Sequence, residues 1–555
     1  SATSGAGTDF RYVGSNVGLA GEGTLRKLGR GTLSMDGALF QLTGGTRDDG
    51  ALPPNPLTTL SVDVVEGTLR FDTTLPDAGN LGRVAIASGA TLEFEIPVAA
   101  DVTLALEAEG AGTLLRSGAG ILRLDSNALH APAAIRPSLN FTGDLVLAAG
   151  DTRLLVPGAF ANAHVAVRNT GTILNLAAGA YAFAGLTGET GTQFALDPLT
   201  ALTLDVTTAA GALVPREDIF RGQFTGGGDL VKTGTGILTL DPGAATNDLG
   251  DITVTAGTLR ATVNGIGAGA ATAVDVAAGA TLEFSAAAGE DLAYTAAITG
   301  AGSVAKTGEG IIRLNGAALA ALPTGGFAVN GGTLVIDDRR VLDVIPAATL
   351  ALGTTLEVSL HGDRDLLAQV SGPGNLRFDG AHLVTLRNAP AFGGVLTFTG
   401  GADLAFDAAL TTVTLGGLAA DTGSDINLNA GQDLILDQTA STDFNGNFAG
   451  AGNLTLRASV GGEKVFRYLA NGGDLGGVGG LTGTVTVDGG ALQVSGANTK
   501  AVTLTNGGDL HISVAATLTQ VYSADIEIAS GTSDLVKVGT GTLDLTGGLP
   551  ATTGA

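Results

Sequence analysis

The segment Leu230–Leu240 reads LVKTGTGILTL, in which two short runs of alternating apolar and polar residues flank a glycine-rich corner. Alternation with a period of two is typical of a β-strand with one buried face. Glycine adopts the positive-φ conformations that tight corners require. The segment recurs with a Lys or Arg at one fixed position, in copies at Gly21–Met35, Gly110–Leu124, Gly226–Leu240, Gly300–Leu314 and Gly531–Leu545. These copies predict a repeat protein made of short strands and glycine corners.

A second phrase lies between the copies, for example AGTLRA around Gly257 and GGTLVI around Gly332. The step from one phrase to the next is about 20 residues, which is too short for the helical TPR, ankyrin or HEAT units. Short strands, glycine corners and this step predict an all-β parallel β-solenoid, whose coils stack and pair their backbones. With about 4.8 Å per coil, about 26 coils would form an elongated rod on the order of 120 Å long.

The repeated basic residue is expected to have a structural role at a corner. It follows an apolar strand residue by two positions and precedes a glycine by two. Because an unpaired ammonium is costly inside a protein, the strand is expected to end there, with the side chain leaning outward over corner carbonyls and its stem covering apolar surface. The residues at this position are Lys27, Arg116, Lys232, Lys306 and Lys537.

The composition restricts the chemistry that the chain can perform. Hydrophobic residues make up 44% of the sequence but aromatic residues only 4%, with no Trp, which suits thin and regular apolar layers. The absence of Cys excludes disulfides, thiol catalysis and cysteine metal sites. Cysteine-free chains are common among proteins exported across the bacterial envelope, so we expect an exported protein.

The charge and the apolar runs exclude two further classes. A formal net charge of −25 with no basic patch argues against nucleic-acid binding, which depends on Lys and Arg. No run of about 18 apolar residues is present, so no transmembrane helix is predicted. The opening residues SATSGAGTDF do not resemble a secretion signal, so we expect either a cytosolic protein or one from which the signal has been removed.

The pattern G-x-G-x-L-x-K-x-G-x-G-x-L-x-L, followed by G-G-T-L, closely resembles the passenger-associated β-strand repeat of bacterial autotransporters. The resemblance runs from Gly21 to Leu545. It implies a right-handed parallel β-helix that is displayed on, or released from, the Gram-negative outer membrane, where some members act as adhesins or self-associating factors. The C-terminal sequence GTGTLDLTGGLPATTGA lacks membrane-type strands with aromatic girdles. We therefore expect residues 1–555 to form a single continuous solenoid without a C-terminal translocator barrel.

Three stretches interrupt the repeat, at residues 43–57, 126–140 and 209–224. Insertions in solenoids emerge as loops at corners and often form the binding face. Each stretch is therefore either a tolerated corner loop or a contact element for a neighbouring molecule.

Motifs for catalysis or cofactor binding are not found in the sequence. There is no G-x-S-x-G nucleophile motif, no H-E-x-x-H zinc motif and no P-loop. The five His residues are far apart along the chain, and distant residues of a solenoid meet only within one coil or adjacent coils. We expect no catalytic and no cofactor-binding residues.

Two charged clusters, IDDRRVLD at Ile336–Asp343 and HGDRDLL at His361–Leu367, lie about one coil apart and could stack on one face. Carboxylates grouped in this way could bind Ca²⁺, or form a groove with Arg339, Arg340 and Arg364 as in β-helical enzymes of the pectate-lyase kind. The alternative is a set of solvated surface ion pairs. The weak candidates for metal ligands are Asp337, Asp338, Asp363 and Asp365.

The sequence favours a non-enzymatic structural or adhesive protein, secreted or displayed on the surface of a Gram-negative bacterium. It would be a stalk or self-associating fibre subunit that contacts either another copy of itself or the surface of a host or neighbouring cell. Two alternatives stay open: a polysaccharide-acting β-helix enzyme, and a surface-layer or sheath subunit.

Overall fold

A computed structural model of the chain describes residues 10–12, 23–36, 60–72, 77–124, 141–267, 273–316, 323–337, 347–366, 370–388, 390–459, 463–477 and 479–548. The predicted loops at 43–57 and 126–140 lie outside the described residues, whereas the stretch 209–224 lies within them. It is a loop only as far as Arg216, because Glu217–Phe220 and Gln223–Thr225 form strands. Almost every regular element is a short β-strand, because β-branched and Leu residues alternate with polar ones between glycine corners.

The strands are numbered along the chain. The first part of the chain contains β1 (Phe10–Tyr12), β2 (Gly23–Lys27), β3 (Thr32–Asp36), β4 (Leu60–Val64), β5 (Thr68–Asp72), β6 (Asp77–Ile86), β7 (Thr91–Glu95), β8 (Asp101–Gly110), β9 (Thr113–Ser117), β10 (Ile121–Leu124), β11 (Asp144–Leu147), β12 (Asp151–Leu154), β13 (His164–Val167), β14 (Ile173–Leu176), β15 (Gly179–Phe183), β16 (Gly185–Gly188), β17 (Gln193–Leu196), β18 (Thr200–Asp205), β19 (Glu217–Phe220), β20 (Gln223–Thr225), β21 (Asp229–Thr233), β22 (Ile237–Leu240), β23 (Ile252–Val254), β24 (Thr258–Ala261), β25 (Val274–Val276), β26 (Thr281–Ser285), β27 (Asp291–Tyr294) and β28 (Ile298–Gly300).

The second part contains β29 (Ser303–Thr307), β30 (Ile311–Leu314), β31 (Phe327–Val329), β32 (Thr333–Asp337), β33 (Ala348–Leu350), β34 (Thr355–Ser359), β35 (Arg364–Leu366), β36 (Val370–Gly372), β37 (Asn375–Asp379), β38 (Leu383–Leu386), β39 (Ala391–Phe392), β40 (Leu396–Thr399), β41 (Asp403–Phe406), β42 (Thr412–Leu415), β43 (Leu418–Ala420), β44 (Asp425–Leu428), β45 (Asp433–Asp437), β46 (Thr442–Phe444), β47 (Asn447–Gly450), β48 (Asn453–Arg457), β49 (Val465–Tyr468), β50 (Val485–Asp488), β51 (Ala491–Ser495), β52 (Val502–Thr505), β53 (Asp509–Ser513), β54 (Thr519–Tyr522), β55 (Ile526–Ile528), β56 (Leu535–Val538) and β57 (Thr542–Leu545).

Helix is confined to short pieces in the described residues. One is a four-residue α-helix, α1 (Val263–Ile266), and another is a 3₁₀ turn at Ala470–Gly472. No helix in the described part of the chain is long and apolar enough to cross a membrane.

The chain divides into two compact units. Unit 1 comprises Ser1–Glu283 and Ala296–Gly302, and unit 2 comprises Phe284–Thr295 and Ser303–Ala555. The prediction that residues 1–555 form a single continuous solenoid stays a prediction.

In unit 1, strands from successive coils pair in parallel and form three stacks. One stack runs through β1, β3, β5, β7, β9, β11, β13, β16, β19, β22 and β24. A second runs from β2 through β4, β6, β8, β10, β12, β14 and β17 to β20. The third contains β15, β18, β21, β23, β25 and β28.

Unit 2 repeats this arrangement with its own stacks of parallel strands. The longest runs from β27 through β30, β32, β34, β37, β40, β43, β46, β49, β51 and β53 to β56. Others are β35–β38–β41–β44–β47, β42–β45–β48–β50–β52–β55 and the pair β54–β57. The predicted parallel β-solenoid is therefore confirmed in both units.

The core of each unit is a set of side-chain ladders, since every second residue of a strand points inward. In unit 1, Leu69, Leu92 and Leu114 lie in register on successive strands and are buried. In unit 2, Leu334 and Leu356 do the same. Each fully buried Leu contributes about 1.5–3 kcal/mol relative to an exposed one, so in-register stacking is the main source of stability.

The coils are longer than the sequence predicts. Paired strand residues on neighbouring coils are 20 residues apart for Leu145 and Val165, but 31 residues apart for Leu114 and Leu145. The described residues form about 19 coils, so the estimate of about 26 coils is too high. The spacing from one repeated sequence phrase to the next does not include the variable corner segments that complete each coil, so it underestimates the length of a coil.

Candidate functional site

The Lys side chains of the repeat lie inside the solenoid, at the corner that follows their strand. Lys232 is 0% exposed, and its Nζ donates to the carbonyls of Thr233 at 2.7 Å, Gly234 at 2.8 Å and Ala256 at 3.1 Å. Thr233 and Gly234 belong to its own corner, whereas Ala256 belongs to the next coil. The three hydrogens of the ammonium are therefore matched by three acceptors.

Two further lysines have the same geometry. Lys306, also 0% exposed, donates to Thr307, Gly308 and, on the next coil, Gly331 at 2.8, 2.7 and 3.1 Å. Lys27 donates to the carbonyls of Leu28 and Gly29 and, on the next coil, to that of Glu66 at 3.0 Å. The buried ammonium thus bridges two successive coils at each position.

The expectation that these side chains lean outward is wrong for Lys27, Arg116, Lys232 and Lys306, all of which are buried. The strands do end at this position: β2 ends at Lys27 itself, and β21 ends at Thr233, one residue after Lys232. The period of two then places Lys232 on the same inward face as Leu230. The polar partners are corner carbonyls, as the spacing to the next glycine indicated.

Arg116 occupies the same position with a different set of hydrogen bonds. Its two terminal nitrogens donate to the carbonyls of Gly118 and Gly120, while Nε has no hydrogen-bond partner. Burial lowers the pKa of Arg116 to about 10 and the pKa of Lys232 and Lys306 to about 8. Desolvation is the cause in each case, since an apolar interior disfavours the charged form.

Lys537 differs from the other members of the set. It is exposed, and its Nζ donates to the carbonyl of Gly539 at 2.7 Å. Gly539 lies in the corner that follows the strand of Lys537. No acceptor from a following coil is present among the described residues. The coil that contains Lys537 also exposes the apolar side chains of Leu535, Val536 and Leu545.

The carboxylates of the two charged clusters lie against basic side chains. Asp337 contacts His361 at 2.8 Å, so this pair joins the two clusters. Asp363 lies 3.7 Å from His382, and Asp365 lies 2.9 Å from Arg387. Asp338, Arg339 and Arg340 lie outside the described residues.

The described carboxylates do not converge on one point. No group of three or more His, Asp or Glu residues in the described chain is arranged to hold a metal ion. Arg387 instead bridges Asp365 and Asp407, at 2.9 and 3.0 Å. This geometry is that of surface ion pairs between coils.

Sequence reasoning missed a polar cluster at the base of the 209–224 loop. Asp218 is buried and receives two hydrogen bonds from Arg216, at 2.9 and 2.8 Å, and one from the amide of Leu186 at 3.0 Å. His164 lies 3.7 Å from Asp218 and 3.3 Å from Asp144. The residues come from four successive coils, so sequence spacing gave no signal beyond the charged triplet Arg216–Asp218.

This cluster anchors a loop with an apolar tip. Arg216 also donates to the carbonyl of Ala184 at 2.9 Å, and its amide donates to Thr208 at 2.9 Å. Between these anchors, Leu213 is 100% exposed and Val214 is 74% exposed. The loop therefore presents two apolar side chains on a fixed base.

Comparisons with known proteins add little to this description. Neither a protein-family model nor a curated protein matches the chain. One solved structure to which the chain is similar is the crystal structure of the Haemophilus influenzae Hap adhesin, with 12% sequence identity and a TM-score of 0.27. The match covers 93% of this chain and 61% of that one. At this TM-score the likeness is too distant to inform the assignment of function.

Proposed function

We propose that this chain is a non-enzymatic structural or adhesive protein, secreted or displayed on the surface of a Gram-negative bacterium. It acts as a β-helical stalk or a self-associating fibre subunit. Its partners are other copies of itself or the surface of a host or neighbouring cell. Contacts are made by the loops, flanks and end strands of the coils.

The main support for the proposal is that apolar side chains fill the interior of the coils. Backbone pairing joins successive coils, and Leu, Val and Phe ladders occupy the interior. Such an interior supports a surface but does not itself bind a substrate. The resemblance of the repeat to autotransporter passengers supports the bacterial-surface setting.

The charged side chains on the flanks also support a mechanical role. Arg313 pairs with Asp291 at 2.7 Å, and Arg260 with Glu283 at 2.7 Å, each across coils. A pair at exposed positions, such as Arg313 and Asp291, contributes about 0–1 kcal/mol, whereas Glu283 is buried. Their arrangement favours solubility and coil alignment, and the net charge of −25 disfavours nucleic-acid partners.

The test is an adherence assay with beads that carry the purified chain, in buffer with Ca²⁺ and with EDTA. We expect coated beads to adhere to one another or to cells more than beads coated with an unrelated acidic protein. Leu213→Asp should reduce adherence if the 209–224 loop is a contact element. Leu199→Asp is the matched control, since Leu199 is also a highly exposed Leu, at 80%.

Two results would contradict the proposal. Release of sugars from an anionic glycan incubated with the chain would indicate an enzyme of the pectate-lyase kind. Two-dimensional sheets in negative-stain images would indicate a surface-layer or sheath subunit rather than a stalk or fibre. Loss of structure in EDTA would instead show that Ca²⁺ is required for stability, contrary to the expectation of no cofactor.

A further inference from the structure

The described part of unit 2 contains a cavity of about 220 Å³ beside the ends of strands β49, β51 and β53. The connection from β49 to β50 spans residues 469–484, whereas the connection from β51 to β52 spans only residues 496–501. Corners of such different length cannot stack residue on residue, which leaves space between them. The cavity therefore follows from the variable corners of the solenoid.

Backbone hydrogen bonds between coils hold the walls of this cavity. The corner after β49 contains the 3₁₀ turn Ala470–Gly472, and the carbonyl of Gly473 then accepts from the amide of Ser495 at 3.0 Å. One coil further on, the carbonyl of Ser513 accepts from the amide of Gly496 at 3.0 Å. Ser495 and Ser513 also lie opposite one another in the paired strands β51 and β53. The cavity is thus preformed by the stacked backbone.

The described residues that line the cavity include hydrogen-bonding groups but no charged group. The polar side chains are those of Gln493, Ser495, Ser513 and Gln520. A glutamine amide and a serine hydroxyl can each donate and accept a hydrogen bond. The buried Oε1 of Gln520 has no hydrogen-bond partner in the described part of the chain. Because a buried acceptor without a donor is unfavourable, a ligand that donates a hydrogen bond to this oxygen would be stabilised.

Apolar groups complete the lining. They belong to Tyr468, Leu469 and Val494, of which Leu469 is half-exposed and the other two are buried. Small-ligand sites combine an apolar surface with a few polar groups that fix the orientation of the ligand. A ligand with hydroxyl groups around its edge and C–H groups on its face matches this lining. That is the chemistry of a sugar ring.

Charge around the cavity disfavours an ionic ligand. Gln493 lies opposite Arg467 on β49 and opposite His511 on β53. Arg467 pairs with Asp443. His511 contacts Glu463 at 2.8 Å. Since both basic side chains already face a carboxylate, and the net charge of −25 repels anionic glycans, the cavity favours a neutral ligand.

We propose that this cavity binds one neutral sugar ring, at the end of a glycan on a cell surface. Sites for drug-sized ligands typically have about 300–1,000 Å³, so a cavity of about 220 Å³ admits a single ring rather than an oligosaccharide. The inference deepens the proposed function and rests on it, because it names the class of molecule through which the chain contacts a host or neighbouring cell.

The experiment is saturation-transfer NMR with the full chain and four neutral probes, the methyl glycosides of glucose, galactose, mannose and N-acetylglucosamine. We expect at least one of them to bind with a Kd on the order of 1 mM, since a ligand of this size makes few contacts. The methyl uronides of glucose, galactose and mannose are the charged counterparts, and we expect them not to bind at the same concentrations.

Two variants test the polar lining. Gln520→Leu and Gln493→Leu each keep most of the side-chain volume and remove an amide, so each should weaken binding about tenfold, the value of about one hydrogen bond. Gln193→Leu is the matched control, because Gln193 is an exposed glutamine on β17 that does not line the cavity. Circular dichroism verifies that all three variants are folded.

Binding of a neutral glycoside that Gln520→Leu or Gln493→Leu weakens, and that Gln193→Leu leaves unchanged, supports the proposal. Three results would overturn it: no binding of any neutral glycoside, equal binding of a uronide, or binding that the cavity variants affect no more than the control does. The measurement requires no cells, so failure to bind sugars with intact adherence rejects only this site. Sugar binding without any adherence rejects the proposed function instead.

Discussion

At the scale of single residues, the buried lysines show how a solenoid tolerates a charge in its interior. An isolated ammonium in an apolar interior is costly, but three well-placed carbonyl acceptors offset that cost. Two of the acceptors are fixed by the corner of the same strand, so only the third depends on the next coil. The residue therefore stabilises both a corner and the junction between coils.

Replacing Lys306 by Met should destabilise the chain by about 2 kcal/mol, because carbonyls that now accept from the ammonium lose their donor in a buried site. Lys537→Met is the matched control, since that side chain is exposed, and it should change stability by less than about 0.5 kcal/mol. The denaturation midpoint followed by circular dichroism measures both. Equal midpoints for Lys306→Met and the unmodified chain would mean that removing the desolvation cost of the ammonium fully compensates for the lost hydrogen bonds.

The buried lysines also predict a dependence of stability on pH. Burial lowers the pKa of Lys306 to about 8 from its ordinary value of 10.5. Between these values the unfolded chain binds more protons than the folded one, so the free energy of unfolding rises with pH there. Below pH 8, where the side chain is charged in both states, Lys306 contributes no such slope.

The measurement is the difference in unfolding free energy between the unmodified chain and Lys306→Met, at pH 7 and at pH 10. The subtraction cancels other titrating groups that the substitution does not touch. We expect the difference to shift in favour of the unmodified chain at pH 10. A difference independent of pH would show that the three carbonyl acceptors keep the pKa of Lys306 near its ordinary value.

The inward direction of these lysines could have been predicted from the sequence. Lys232 follows Leu230 by two positions, and a period of two puts both residues on one face. The prediction failed because the cost of burying a charge was given more weight than the alternation. The third acceptor, Ala256, could not be predicted, because it depends on the length of the coil in between.

At the scale of elements, the glycine-punctuated phrase predicted the local structure well. LVKTGTGILTL forms strand β21, a corner and strand β22, and the second phrase around Gly257 contains β24. The lengths of the remaining corners could not be predicted, because coils of 20 and 31 residues both allow parallel backbone pairing. Variable corners therefore explain the error in the number of coils.

Corner glycines are expected to differ in how much substitution they tolerate. Gly257 and Gly279 both have positive φ, at 65° and 80°. A Cβ on Gly257 would lie 2.4 Å from the carbonyl oxygen of Gly236 on the preceding coil, whereas a Cβ on Gly279 would meet no atom within 4 Å. Gly257 alone thus lies at a close approach between coils.

Gly279→Ala should therefore cost about 1–2 kcal/mol, which is the backbone strain of an L-residue in this region. Gly257→Ala should cost more, because the coils must also separate. Thermal unfolding of the two variants, followed by circular dichroism, tests the difference. Equal shifts in Tm would show that backbone strain alone determines the cost of replacing either glycine by Ala.

At the scale of the whole molecule, composition predicted the class of fold but not the contact surfaces. The Asp218 cluster joins residues that are 32 apart, Leu186 and Asp218, and the loop beside it interrupts the repeat. Such a site depends on which corners face one another after coiling, which local periodicity does not encode. The charge clusters were located correctly in the sequence, but their partners, His382 and Arg387, lie one coil further on.

The net charge of −25 bears on any contact between copies. Two copies repel one another at long range, whereas an ion pair between them at a solvent-exposed position is worth only about 0–1 kcal/mol. Repulsion should therefore dominate the response to salt. Raising the ionic strength from about 0.01 M to about 0.15 M shortens the screening length from about 30 Å to about 8 Å, so association should strengthen. Sedimentation velocity across this range measures the effect. Association that weakens with salt would instead show that attraction between opposite charges on the two copies dominates.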